Sequence, residues 1–106
     1  MKKLKFMLEY QSVPIWLFNS KNEMIGPGIP NELSSDKEFV SLINDIQKEY
    51  DDLFENNDVY FGYHGFSNEA DSKAFFTKVA GAIEILKHHL GNSYEIVVDV
   101  SEKDFR

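Results

Sequence analysis

The side chains able to do chemistry are few: three histidines, no cysteine, and one dense run of carboxylates. His88 and His89 stand side by side near the end of an apolar-periodic stretch. Adjacent helical residues project about 100° apart, so these two cannot chelate one metal from a single face. No pair of histidines has the spacing of a zinc hydrolase helix, and cations in the last turn of a helix are accounted for by the macrodipole. His64 precedes Gly65 at the end of a strand-like run, where catalytic groups often gather. A general base needs a nucleophile and a pocket, and no such motif stands near it. The turn Gly62-Tyr63-His64-Gly65 is too short and too bulky to cradle a phosphate. Glu49, Asp51, Asp52, Glu55 and Asp58 offer hard oxygen ligands, but a calcium loop alternates its ligands around a central glycine, and none is present. Nothing calls for a cofactor or a metal, and the chain is expected not to be an enzyme.

The carboxylates are informative in another way. Residues 32–58 hold nine of them (Glu32, Asp36, Glu38, Asp45, Glu49, Asp51, Asp52, Glu55, Asp58) against Lys37 and Lys48. That balance of −7 equals the net charge of all 106 residues, so the rest of the chain is neutral. An ordinary solvated helix interleaves Lys with Glu for support between residues four apart, and this one does not. Concentrated negative charge steers and holds a basic partner and repels polyanions. With a pI near 4.8, nucleic acid is an unsuitable ligand, because phosphate contacts need a basic face.

The elements that must carry this charge can be read from periodicity. Residues 4–10 alternate as a strand, with Leu4, Phe6 and Leu8 on one face and Lys5, Met7 and Glu9 on the other. Residues 13–18 form a second strand, Asn19 to Asn22 a turn, and residues 23–25 the returning arm of a hairpin. Gly26, Pro27, Gly28 and Pro30 then break regular structure. A helix over residues 35–55 starts at a capping box of Ser35 and Glu38 and lays Phe39, Ile43, Ile46, Tyr50 and Leu53 in one stripe. Asp45, Glu49, Asp52 and Glu55 are expected on the opposite, solvent-facing side. Residues 59–64 read as a strand. Ser67 or Asn68 caps a second helix reaching Leu90, with Phe75, Val79, Ala82 or Ile83, Leu86 and Leu90 as its stripe. Gly91-Asn92 reads as a left-handed helix end.

Residues 94–100 are the last strand, and the unbroken apolar run Ile96-Val97-Val98 places it at or near the sheet centre. The strand over 59–64, the second helix and the last strand should form a parallel crossover unit. The fold class is therefore α+β, two long helices on one mixed sheet in the order β-β-(β)-α-β-α-β. Residues 1–100 are expected to form one domain and 101–106 a frayed tail. The basic start, Met1-Lys2-Lys3, is followed by no secretory apolar run, and no stretch approaches the roughly 18 apolar residues that span a bilayer. A cytoplasmic location without membrane contact is the expectation.

Trp16, between Ile15 and Leu17, is expected in the core, with an interface anchor as the alternative. Among the aromatics flanking the acidic stretch, an exposed tyrosine such as Tyr60 suits a binding hot spot. The partner-binding set is thus Asp45, Glu49, Asp51, Asp52, Glu55, Asp58 and Tyr60.

The succession Pro14-Ile15-Trp16-Leu17-Phe18, Ile29-Pro30-Asn31-Glu32-Leu33, Gln47-Lys48-Glu49-Tyr50-Asp51-Asp52-Leu53-Phe54, Gly65-Phe66 and Leu90-Gly91-Asn92-Ser93-Tyr94-Glu95-Ile96 resembles small acidic immunity proteins of Gram-positive bacteria. Such proteins are encoded beside secreted polymorphic toxins and protect the producer by binding the toxin domain. The resemblance covers most of the chain but rests on packing and turn patterns, so no binding residue is carried over from it. It implies a cationic toxin domain as the partner, a nuclease by expectation. The chain is expected to act as a monomer or weak homodimer. A regulatory or adaptor module with another basic protein partner is the alternative, and an enzyme using His64 with a carboxylate is a distant third.

Overall fold

The computed structural model describes residues 2–56, 61–63, 65–66 and 68–100. Strand β1 (Lys2–Met7) pairs antiparallel with β2 (Ile15–Phe18), which pairs antiparallel with β3 (Met24–Pro27). The hairpin between β2 and β3 is closed by Asn19, whose side-chain oxygen accepts from the amides of Lys21 and Glu23, both at 2.9 Å. A 3-10 turn, Asn31–Leu33, leads into helix α1 (Lys37–Asp51). Strands β4 (Phe54–Asn56) and β5 (Phe61–Tyr63) form a separate antiparallel pair. Helix α2 (Glu69–Leu90) then runs to β6 (Tyr94–Asp99), which pairs parallel with β1. The four-stranded sheet has the order β3-β2-β1-β6.

Both helices contribute to one core with the inner face of that sheet. Leu4, Phe6 and Ile15 meet Phe39, Ile43 and Ile46 of α1 and Phe75, Val79, Ala82, Leu86 and Leu90 of α2. The expected stripes on both helices are therefore the buried ones, and Ala82 rather than Ile83 is the fully buried member. Burial of this apolar area is the main drive for assembly.

Several details differ from expectation. Asp36, not Ser35, caps α1, its carboxylate accepting from the Phe39 amide at 3.1 Å. An aspartate caps as well as a serine and adds favourable charge at the positive helix end. Helix α1 stops at Asp51 instead of Glu55. The Leu53 amide donates to Tyr50 O at 3.1 Å, tightening the last turn. Phe54 leaves the helix to set its ring 4.9 Å from Tyr10 and 5.3 Å from Tyr50.

The strand expected over 59–64 does not join the last strand. Its described part, β5, pairs with the neighbouring β4, a contact that closes a much shorter loop. The last strand is at the edge of the sheet and not its centre. Its β-branched residues serve pairing with β1, and the outer face bearing Val97 has no helix over it; propensity for a strand does not decide its place in the sheet.

Trp16 lies opposite Lys5, on the face away from the helices, and is outside the core, contrary to the expectation for it. Its indole N–H donates to Met7 O at 3.2 Å. Gly91 has φ −59 and is not left-handed. Its glycine is required by closeness: a Cβ there would stand 2.5 Å from Lys87 O. Gly81, inside α2, has open space where a Cβ would go. Gly91→Ala should therefore lower unfolding free energy by about 1–3 kcal/mol, while Gly81→Ala should raise it by about 0.5–1 kcal/mol, both read from denaturant unfolding.

Candidate functional site

The acidic stretch divides into carboxylates that hold the fold together and carboxylates that face solvent. Glu32 accepts a hydrogen bond from the Tyr94 hydroxyl at 3.3 Å, tying the 3-10 turn to β6. Asp36 caps α1. Asp51 accepts from the Gln11 amide at 2.8 Å, securing a residue held at φ 59 in the turn between β1 and β2. Glu49 pairs with Lys78 of α2 at 2.6 Å, with side chains 36% and 39% exposed. Four members of the stretch thus have internal partners.

Of the remaining members, Glu38, Asp45 and Asp52 on α1 and its C-cap are exposed. Asp52 is the C-cap of α1, where the helix presents its own partial negative charge. Asp51 and Asp52 therefore stand where carboxylates are disfavoured for helix stability. Glu55 is in β4, opposite Gly62, rather than on α1. Asp58, Tyr60 and His64 lie outside the described residues. His88 and His89 are exposed in the last turn of α2 with their rings 5.1 Å apart.

With 100° per residue Glu49 falls on the flank of the apolar stripe, the side turned to α2, which is why it reaches Lys78, while Asp45 and Asp52 turn further toward the opposite side and are exposed. The flank borders a cleft of about 240 Å³ between the end of α1 and the start of α2. Glu49, Asp52 and Asp71 supply its carboxylates, and Leu53, Phe66 and Ala74 its apolar surface. Phe66 is fixed by Phe75 at 5.3 Å between ring centres. Asp71 was not in the sequence-based set. Its amide donates to the Asn68 side chain at 2.8 Å in the α2 cap, so its spacing was already explained by capping and gave no separate sign of a site. Asp52 also lines a shallower depression with Asn44, Gln47, Lys48 and Asp51. Among the described residues, no three His, Asp or Glu side chains are grouped to hold a metal ion. The arrangement suits a cationic side chain whose aliphatic stem lies on apolar surface while its head meets carboxylates.

A family model described as Serratia CdiI immunity protein-like matches residues 2–100. The chain belongs to that family. The immunity-protein resemblance noted from its residues is thus carried by nearly the whole chain. Among curated proteins none matches it. For this family member, no helix among the described residues is long and apolar enough to cross a membrane.

Two titrating groups report on the packing around this region. The Lys78 ammonium is held above its ordinary value by the hydrogen bond to Glu49, against desolvation, with further help from the charges of Glu49 and Asp45. The Tyr94 hydroxyl is raised by burial first and by the neighbouring Glu32 second. Raised folded-state values mean that both groups contribute fully below their unfolded values. That contribution is lost as pH rises past the unfolded values and through the higher folded ones. Denaturant midpoints should fall over this alkaline range, and less steeply in a Lys78→Met/Tyr94→Phe variant than in the parent. Near neutral pH, Lys78→Met alone should cost no more than about 1 kcal/mol, because the pair is partly solvated.

Proposed function

We propose that this chain binds a cognate toxin domain and neutralises it by occluding a basic active site with the negative rim at the end of α1. Membership of an immunity protein-like family supports the class of function. The observation that carries the binding mode is the cleft in which Glu49, Asp52 and Asp71 surround Leu53, Phe66 and Ala74. Carboxylates presented on a partly apolar surface would stand where the phosphates of a nucleic-acid substrate lie. A toxin nuclease, built to hold RNA or DNA, offers such a basic site.

Neutralisation of this kind asks for no chemistry by the inhibitor, only complementarity. Electrostatic attraction accelerates the encounter, and desolvated contacts in the cleft then hold the complex. The chain would act as a monomer or weak homodimer in the cytoplasm of the producing cell. Asp51 and Asp52 at the negative end of α1 weaken the free helix, a cost that a cationic partner relieves.

Asp45 and Asp52 are the proper probes, since Glu49 also supports the contact between the helices. Asp45→Lys with Asp52→Lys should weaken binding of the cognate toxin domain by about 2–5 kcal/mol, through like-charge contact. Unfolding free energy should stay level or rise slightly. Affinity of the parent should also fall with added salt, because exposed charges are screened beyond roughly 8 Å at physiological ionic strength. Calorimetric titration of both forms at low and high salt reads this out, and His64→Ala should match the parent throughout. Equal affinities in every condition would remove the acidic rim from the interface.

A further inference from the structure

The two edges of the four-stranded sheet are unlike. On one side β3 is only four residues long, contains Gly26 at φ 139, ends at Pro27 and meets β2 with a register shift beside Leu17 and Phe18. These features blunt an edge, since proline offers no N–H and a bulge spoils alignment. On the other side β6 runs six residues, Tyr94–Asp99, without proline, glycine or an irregular register against β1. In a parallel pair alternate residues turn their N–H and C=O toward the neighbouring strand, and the intervening residues turn theirs away. Among the described residues no strand takes up the outward set of β6. Val98, on the helix side of the sheet, is 40% exposed at this edge. An aligned, β-branched edge that no strand covers among the described residues is a template for pairing with a further strand.

We infer that β6 is a second contact for the toxin domain, receiving an extended segment of it as a fifth strand beside Tyr94–Asp99. The inference rests on the toxin-binding reading above and adds a surface remote in sequence from α1. Charge selects the occupant. Glu95 is exposed without an ion-pair partner among the described residues, and Asp99 stays 59% exposed while bridged to Lys5 at 3.4 Å. Glu95, Val97 and Asp99 share the outer face, and Ile96 and Val98 the helix face. A fitting segment carries a lysine or arginine opposite Glu95 and apolar residues opposite Ile96 and Val98. A second copy of this chain is a poor occupant. Pairing β6 with itself would bring two Glu95 and two Asp99 side chains onto adjacent strands, between molecules of net charge −7 each. Main-chain bonds would give affinity, and the alternating side chains specificity.

The test uses the full chain and its cognate toxin domain. Val98→Lys places a charge on the inward side of the edge, the device by which natural edges resist pairing. Glu95→Gln removes the outer charge at an exposed position without setting a like charge opposite Lys3 of β1, and denaturant unfolding checks that the fold is kept. Each should weaken binding by about tenfold or more, while Ile25→Lys, on the blunted edge, should stay within about twofold. In the parent, alternate amides of β6 should gain protection from hydrogen exchange on adding the toxin domain, and only then. Parent-like affinity of both β6 variants, with no new protection, would overturn the inference and leave toxin binding standing. Protection of the same amides in the chain alone, rising with its concentration, would overturn it in favour of self-pairing. Failure of the parent to bind the toxin domain would overturn the function proposed above together with this extension of it.

Discussion

The parallel pairing of β1 with β6 is the contact on which the architecture depends. It joins Lys2–Met7 to Tyr94–Asp99, bringing opposite ends of the described chain into one sheet. A parallel partner cannot be reached by a tight turn, so the intervening chain must cross back over the sheet. Both helices make that passage on the face carrying Leu4, Phe6 and Ile15, and their apolar stripes supply the core that makes the pairing worthwhile. With both helices committed to the inner face, no helix among the described residues covers the outer one. Trp16 and Phe18 therefore lie among β1 lysines, with the Lys3 ammonium 4.7 Å from the Phe18 ring centre.

The same constraint shapes the acidic surface. Because α1 and α2 pack side by side, a carboxylate on the flank of α1 meets α2 before it meets water, and Glu49 is drawn into a bridge with Lys78. Asp51 on the other flank reaches the β1–β2 turn instead. The net charge of the stretch overstates what is offered to a partner, since several carboxylates are occupied in holding elements together. Asp45 and Asp52 remain exposed, Asp52 in the lining of the cleft, and are the members best placed to meet a cation.

The helices, their buried stripes and the first strands were legible in the sequence, because the amphipathic period of residues such as Phe39, Ile43 and Ile46 is set by local geometry. The pairing partners were not. Ile96-Val97-Val98 announces a strand, but which strand lies beside it depends on chain crossings that no local pattern records. The shorter reach of α1 was hidden for a related reason: Leu53 and Phe54 continue the apolar spacing of the helix while serving the turn and strand that follow it. At the site, charge content was readable and its division of labour was not, since the partners of Glu32, Glu49 and Asp51 are distant in sequence. Asp71 enters the cleft only through the way α2 docks against the end of α1.

The most direct measurement of the central claim is an amide chemical-shift titration of the isotope-labelled chain with unlabelled toxin domain. Large changes are expected at the end of α1, at Gly65 and Phe66, and in the first turns of α2 around Asp71. Changes confined to the uncovered sheet face around Trp16 and Phe18, with residues 45–53 and 68–74 unmoved, would contradict it.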